Sequence, residues 1–291
     1  MNKKTKVARL SIYSNTLLIL CKLIVGVITG SVSIISEAIH SSMDLLAAII
    51  AFLSVKISDT PPDVRHPYGH GKYENISGVI EGILIFIAAG WIIYEAIKKL
   101  VEATPIESIG IGSLVMIFSA IVNFVVSRKI YKIAKETDSI ALEADALHLR
   151  ADIFTSLGVG LGLLLIWVTG WYILDPIVAI LVATFILYES FLLLRNAFSP
   201  LLDVKLPDKE IEIIEASIHR FTSGNIKYHQ LRTRKAGFYK YVDLHLEVPK
   251  KLTVDEAHII CDNIEKDIES KIMNIEVYIH VEPIEKNKEK Q

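Results

Sequence analysis

The sequence predicts an α-helical membrane protein with six transmembrane helices followed by a C-terminal cytoplasmic α+β domain. Three observations carry this. The chain has 291 residues, 52% of them hydrophobic, with a mean hydropathy of +0.43, more than one soluble core of this length needs. Six apolar windows, about 10–30, 32–56, 76–97, 108–130, 140–169 and 173–194, are each long enough to cross roughly 30 Å of hydrocarbon at about 1.5 Å per residue. After about residue 205 charges become dense and apolar runs short.

An even number of spans puts both termini on one side. Lys3, Lys4, Lys6 and Arg9, then Lys56, Arg65 and Lys72, then Arg128, Lys129, Lys132 and Lys135, and last Arg195 and Lys205 share that side, against Lys98 and Lys99 on the other. The positive-inside rule makes the termini cytoplasmic. The basic start before an apolar run resembles a signal peptide, but no small-residue cleavage site follows, so it reads as the first span. A net charge of −2 gives no sign of a nucleic-acid surface. Cys21 and Cys261, far apart in sequence, make neither a disulfide framework nor a thiolate cage. Any bound metal falls to His and carboxylates.

The soluble part reads αββαβ, a small sheet with helices on one face. "PDKEIEIIEASIHRF" has helical period behind an Asp208 cap, "IKYHQLRTRKAGFYKYVDLHLEVP" alternates about a Gly237 turn, "TVDEAHIICDNIEKDIESKI" is amphipathic with Thr253 as its cap, and "NIEVYIHVEP" is a last strand. Residues 1–205 therefore form a six-helix transmembrane domain and 206–285 a soluble one, with 286–291 a polar, disordered tail.

Two polar pairs interrupt the spans. "SEAIHSSMDLL" places His40 and Asp44 four residues apart in the second, and "DALHLRADIF" repeats the spacing with His148 and Asp152 in the fifth. On a helix this stacks both side chains on one face about 6 Å apart. His40 lies about 14 Å deep from one side and His148 about 12 Å from the other, so the pairs can meet near mid-membrane. Two imidazoles and two carboxylates suit tetrahedral Zn²⁺, with Fe²⁺, Co²⁺ or Cd²⁺ possible and Ca²⁺ disfavoured. A divalent ion neutralises two aspartates. Without it, protons relieve the buried charge, so metal and protons compete for one site. Glu37 and Asp145 each precede their His by three residues; they are open to a proton-relay role or to structural pairing, with Arg150 one partner. A metalloprotease is disfavoured, because there is no HExxH motif and all four ligand positions are filled.

The paired H-x-x-x-D, six spans and the loop "RHPYGHGKYE" together resemble the cation diffusion facilitator family of zinc-type divalent metal/proton antiporters. That resemblance covers essentially the whole chain. It implies a homodimer exporting divalent metal, Zn²⁺ first, against protons by alternating access. Iron-, cadmium-, cobalt- or manganese-tuned exporters and a membrane-anchored metal sensor or store are the alternatives. By the same resemblance Asp63, His66 and His70 form a loop metal site. Spacing alone leaves this open between binding and solvated imidazoles. The resemblance also implies a metallochaperone-like cytoplasmic domain, ferredoxin-like in outline, that binds metal at a dimer contact through His229, His245, His258, His280 and Glu282; alternation by itself only places His245, His280 and Glu282 on one polar face. Glu282 and Gln230 depart from the family pattern. Lys72 and Asp203 match a charge pair that braces the two protomers.

Overall fold

The computed structural model describes residues 3–29, 32–102, 111–169, 173–222 and 224–284. The chain divides into two compact units, Met1–Phe198 and Ser199–Gln291. The first is helical: α1 (Lys3–Thr29), α2 (Val32–Ser58), α3 (Lys72–Glu102), α4 (Ile111–Thr137), α5 (Ile140–Thr169) and α6 (Leu174–Phe198). Among the described residues three stretches are long and apolar enough to cross a membrane by length and composition: Lys3–Val25, Lys72–Lys98 and Pro176–Leu202. Several helices overrun the apolar windows that announce them. α1 starts at Lys3 rather than near residue 10, and α4 runs to Thr137 rather than 130. The window marks hydrocarbon, whereas Lys, Arg and Glu are good helix formers that carry the helix on into water.

Helices α4 and α5 form a tight hairpin, turned by Asp138 in the left-handed region (φ 51°), a conformation a short polar side chain tolerates. Ala8 of α1, Ile130 and Ala134 of α4, and Leu142 and Leu149 of α5 make one core; Ile85 and Ala89 of α3, Ala144 of α5, and Ile186 and Leu193 of α6 make another. α3 and α6 approach through Gly78 and Gly82. A Cβ on Gly78 would stand 2.7 Å from Ile140 Cγ2 and 3.1 Å from Ala197 Cβ, and one on Gly82 2.9 Å from Leu194. This is small-residue packing of the kind membrane helices use.

The second unit opens with a 3₁₀ turn, Ser199–Leu202, followed by α7 (Asp208–Phe221), β1 (Lys227–Ala236), β2 (Tyr239–Val248), α8 (Val254–Lys271) and β3 (Ile275–Pro283). The expected αββαβ order is present. β1 pairs antiparallel with β2 through a Gly237 turn (φ 63°) and β2 pairs parallel with β3, giving sheet order β1-β2-β3. Val242, Leu244, Leu246, Val248, Ile275 and Val277 point to one face, where Ile214 and Ile218 of α7 and Ile264 and Ile268 of α8 cover them. The opposite face stays polar, as strand alternation requires.

One cap is corrected. Asp208 is the first helical residue rather than the cap, which is Pro207 with no side-chain bond. Lys205 Nζ lies 2.7 Å from the Asp208 carboxylate and, as its chief partner, holds that carboxyl below the usual range. Thr253 behaves as expected. Its hydroxyl accepts from the Glu256 N–H while the Glu256 side chain accepts from the Thr253 N–H, a full capping box. Thr253→Ala is expected to cost about 1 kcal/mol, read as a shift of the unfolding midpoint in denaturant titration.

Candidate metal centres

Three of the four candidate membrane ligands, Asp44, His148 and Asp152, come together. α2 packs against α5, and the ligand atoms of Asp44, His148 and Asp152 all lie within 4.8 Å of one another. His148 Nε2 stands 3.1 Å from Asp44 Oδ1. Asp44 is 7% exposed, while His148 and Asp152 are part-buried. Asn15 Nδ2 of α1 donates to the Asp44 carbonyl at 3.4 Å, fixing the turn that carries the carboxylate. The side chains of Glu37 and His40 lie outside the described residues; the backbone of both belongs to α2. Asp145 is buried beside the centre, taking a hydrogen bond of 2.9 Å from Ser11 Oγ, and its second oxygen has no partner among the described residues. Arg150 does not pair with it. Its guanidinium carbon sits 4.0 Å over the Tyr131 ring.

Two groups near this centre were not singled out from the sequence. Lys22 of α1 is 5% exposed and donates from Nζ to Ser41 Oγ at 2.7 Å, next in sequence to His40. Glu81 of α3 is fully buried, accepts from Ser77 Oγ at 3.0 Å and keeps an oxygen without a partner among the described residues. The available signal was the same for both, a charge inside an apolar window.

The loop after α2 gathers Asp63, His66 and His70. Asp63 Oδ1 lies 3.2 Å from His66 Nδ1 and Asp63 Oδ2 3.4 Å from His70 Nε2. The same Oδ1 accepts the backbone N–H of His66 at 2.6 Å and of Arg65 at 2.8 Å, and the His66 amide is the main reason the carboxyl titrates below its usual value. The carboxylate is therefore both the turn's own acceptor and an anion set between two imidazoles. With its folded value depressed, its contribution to the loop is present above the ordinary carboxylate value and lost as pH falls below that value through the lowered one.

On the polar face of the sheet His229, His245 and Glu282 converge. Glu282 is the hub: Oε1 is 2.9 Å from His245 Nδ1 and 3.7 Å from His280 Nε2, and Oε2 is 3.5 Å from His229 Nε2. Alternation alone could not add His229. A one-residue bulge between His229 and Arg232, with Gln230 at φ 51°, sets His229 opposite His245. Glu247 also reaches His229 at 3.3 Å. His258 is not in the group; it is exposed on α8 with Asp262 Oδ1 at 3.6 Å. Because Glu282 touches every imidazole of the cluster, Glu282→Ala is expected to weaken Zn²⁺ binding by the soluble unit roughly 10–100-fold, measured by calorimetry on the full chain, with His258→Ala changing it less.

Asp203 sits in the left-handed region (φ 52°) after the 3₁₀ turn, 3.8 Å from Arg234 Nη1, and Lys72 opens α3.

Comparison with known proteins matches these parts. The family model described as the cation efflux transmembrane domain covers residues 8–202, and that of the cation efflux protein's cytoplasmic domain covers 206–284. The chain is 36% identical over 258 residues to the uncharacterised transporter sll1263 of Synechocystis, covering 89% of this chain and 83% of the relative. It is 32% identical over 269 residues to the cation-efflux pump FieF of Escherichia coli, covering 92% and 89%. The solved metal-bound C-terminal domain of the CzcD transporter from Thermotoga maritima is 31% identical, matching 28% of this chain and 93% of that one with a TM-score of 0.25. A transmembrane cation efflux domain joined to that family's dimerisation domain makes this chain a member of the cation diffusion facilitator family, an integral membrane transporter of metal cations.

Proposed function

We propose that the chain exports divalent cations, Zn²⁺ first, from the cytoplasm in exchange for protons, by alternating access to one centre made of His40, Asp44, His148 and Asp152. The observation that carries this is the convergence of Asp44, His148 and Asp152 from two helices, with His40 one helical turn before Asp44 on α2. Two carboxylates balance a divalent ion. When the ion leaves, the same buried carboxylates and imidazoles attract protons, so each cation released draws protons in. Glu37 and Asp145 lie within one turn of the ligands and are assigned to proton delivery.

In this reading residues 1–205 transport and 206–285 bind metal and dimerise, with six spans and both termini cytoplasmic. The Asp63–His66–His70 loop and the His229–His245–His280–Glu282 face load with metal from the cytoplasm, and His258 completes the latter at the contact between two copies. Lys72 and Asp203 brace the protomers. The test is Zn²⁺ uptake by proteoliposomes with and without an imposed pH gradient. Flux that rises with the gradient and falls when a protonophore collapses it supports the exchange; flux indifferent to the gradient overturns it.

A further inference from the structure

The helical unit contains a cavity of about 490 Å³ bounded by α3, α4, α5 and α6, and its lining is sorted by polarity along the helix axes. Arg128 of α4 and Arg150 of α5 both line it, and they stand equally far along the chain from Ser139 in the hairpin turn. In antiparallel neighbours that places them at the same level, nearer the hairpin end of the bundle. Phe124 on α4 and Phe154 and Leu157 on α5 lie one to two turns deeper. α6 returns toward the hairpin end and repeats the order, with Glu189 nearer that end and Phe185 one turn deeper.

The cavity is therefore charged at one end and apolar at the other. Arg150 is two residues from both His148 and Asp152, about 200° round the helix, so it faces away from the metal centre. Its guanidinium carbon lies 4.0 Å over the ring of Tyr131. Among the described residues Arg128, Arg150 and Glu189 have no salt-bridge partner. Unpaired charges this close to hydrocarbon are expensive. Arg128 also begins the basic run Arg128, Lys129, Lys132, Lys135, where α4 leaves hydrocarbon, which is the depth of lipid phosphates.

We propose that this cavity is a binding site for an anionic phospholipid, its phosphate held by Arg128 and Arg150 and an acyl chain laid along Phe124, Phe154 and Phe185. Two guanidiniums and one carboxylate leave the cavity one positive charge, which a lipid of net charge −1 neutralises and a zwitterionic one does not. Glu189 is left to accept hydrogen bonds from hydroxyls of the headgroup. The site is independent of the metal centre and of the exchange mechanism, because none of its residues is a ligand or relay.

The test titrates the full chain, purified in a neutral detergent, with phosphatidylglycerol or phosphatidylcholine of identical chains and counts bound lipid by native mass spectrometry. Wild type is expected to prefer phosphatidylglycerol by roughly tenfold or more. Arg128→Gln with Arg150→Gln should erase that preference, Arg128→Gln alone should weaken it, and Leu157→Trp should lower binding of both lipids by filling the apolar end. Equal affinity of wild type for the two lipids overturns the proposal, as does a preference that survives the double substitution. So does disulfide crosslinking of two copies through Phe185→Cys that phosphatidylglycerol does not compete away, since a second copy would then be the occupant.

Discussion

Zn²⁺ uptake by proteoliposomes carrying Asp152→Ala is expected to fall at least ~100-fold, to the level of empty vesicles, while the protein stays folded. Asp152 is half-buried, with its carboxylate within 4.8 Å of the ligand atoms of Asp44 and His148. Its removal acts twice. It takes away one of four proposed ligands, where even outer partners of a metal centre are worth roughly 10–100-fold in affinity. It also leaves a divalent ion facing a single negative charge in a medium that solvates the surplus poorly. Asp152→Asn separates the two effects, because it keeps the shape and one oxygen but not the charge. If charge balance governs, Asn should transport as poorly as Ala; if ligand geometry does, it should retain part of the flux. Wild-type flux in Asp152→Ala would sink the assignment of this centre.

The readable part of the centre is the part set by helical period. His40 and Asp44, like His148 and Asp152, declare a shared face from spacing alone, because i and i+4 must align whatever the helix packs against. Lys22 and Ser41 declare nothing of the kind. Their bond of 2.7 Å depends on how α1 lies against α2, which is decided by packing over the whole bundle. Within the soluble unit, Val242 to Val248 were legible as a buried face because strand period is two, yet His229 joined its cluster only through a bulge that shifts the register by one residue, and bulges leave little trace in composition. Asp208 shows a third kind of limit. Asp is a good cap and a good first-turn residue for the same electrostatic reason, so sequence cannot choose between the positions when Pro207, pre-set for the boundary, stands beside it.

The network around Glu74 belongs to the same long-range class, and it yields the largest expected change in stability. Glu74 is fully buried near the start of α3. Lys4 Nζ of α1 lies 3.0 Å from its Oε1 and also 3.0 Å from Asp59 Oδ1. Ser58 Oγ, at the end of α2, donates to the same Oε1 at 2.8 Å, and Ser139 Oγ, in the α4–α5 turn, donates to Oε2. One carboxylate thus ties the ends of four helical segments. Glu74→Ala removes one of two carboxylates that face a 3%-exposed ammonium, takes the carboxylate acceptor from Ser139 and leaves Ser58 only the Val55 carbonyl to donate to, so it is expected to destabilise the folded helical unit by about 3–5 kcal/mol. Thermal unfolding in detergent, followed by the fluorescence of the tryptophans, measures the loss. Lys4→Met with Glu74→Gln removes both charges together and should recover much of it, because replacing a buried pair costs far less than removing one member alone. Equal loss in Glu74→Ala and in that double variant would mean that Glu74 serves as a hydroxyl acceptor and the ion pair adds nothing.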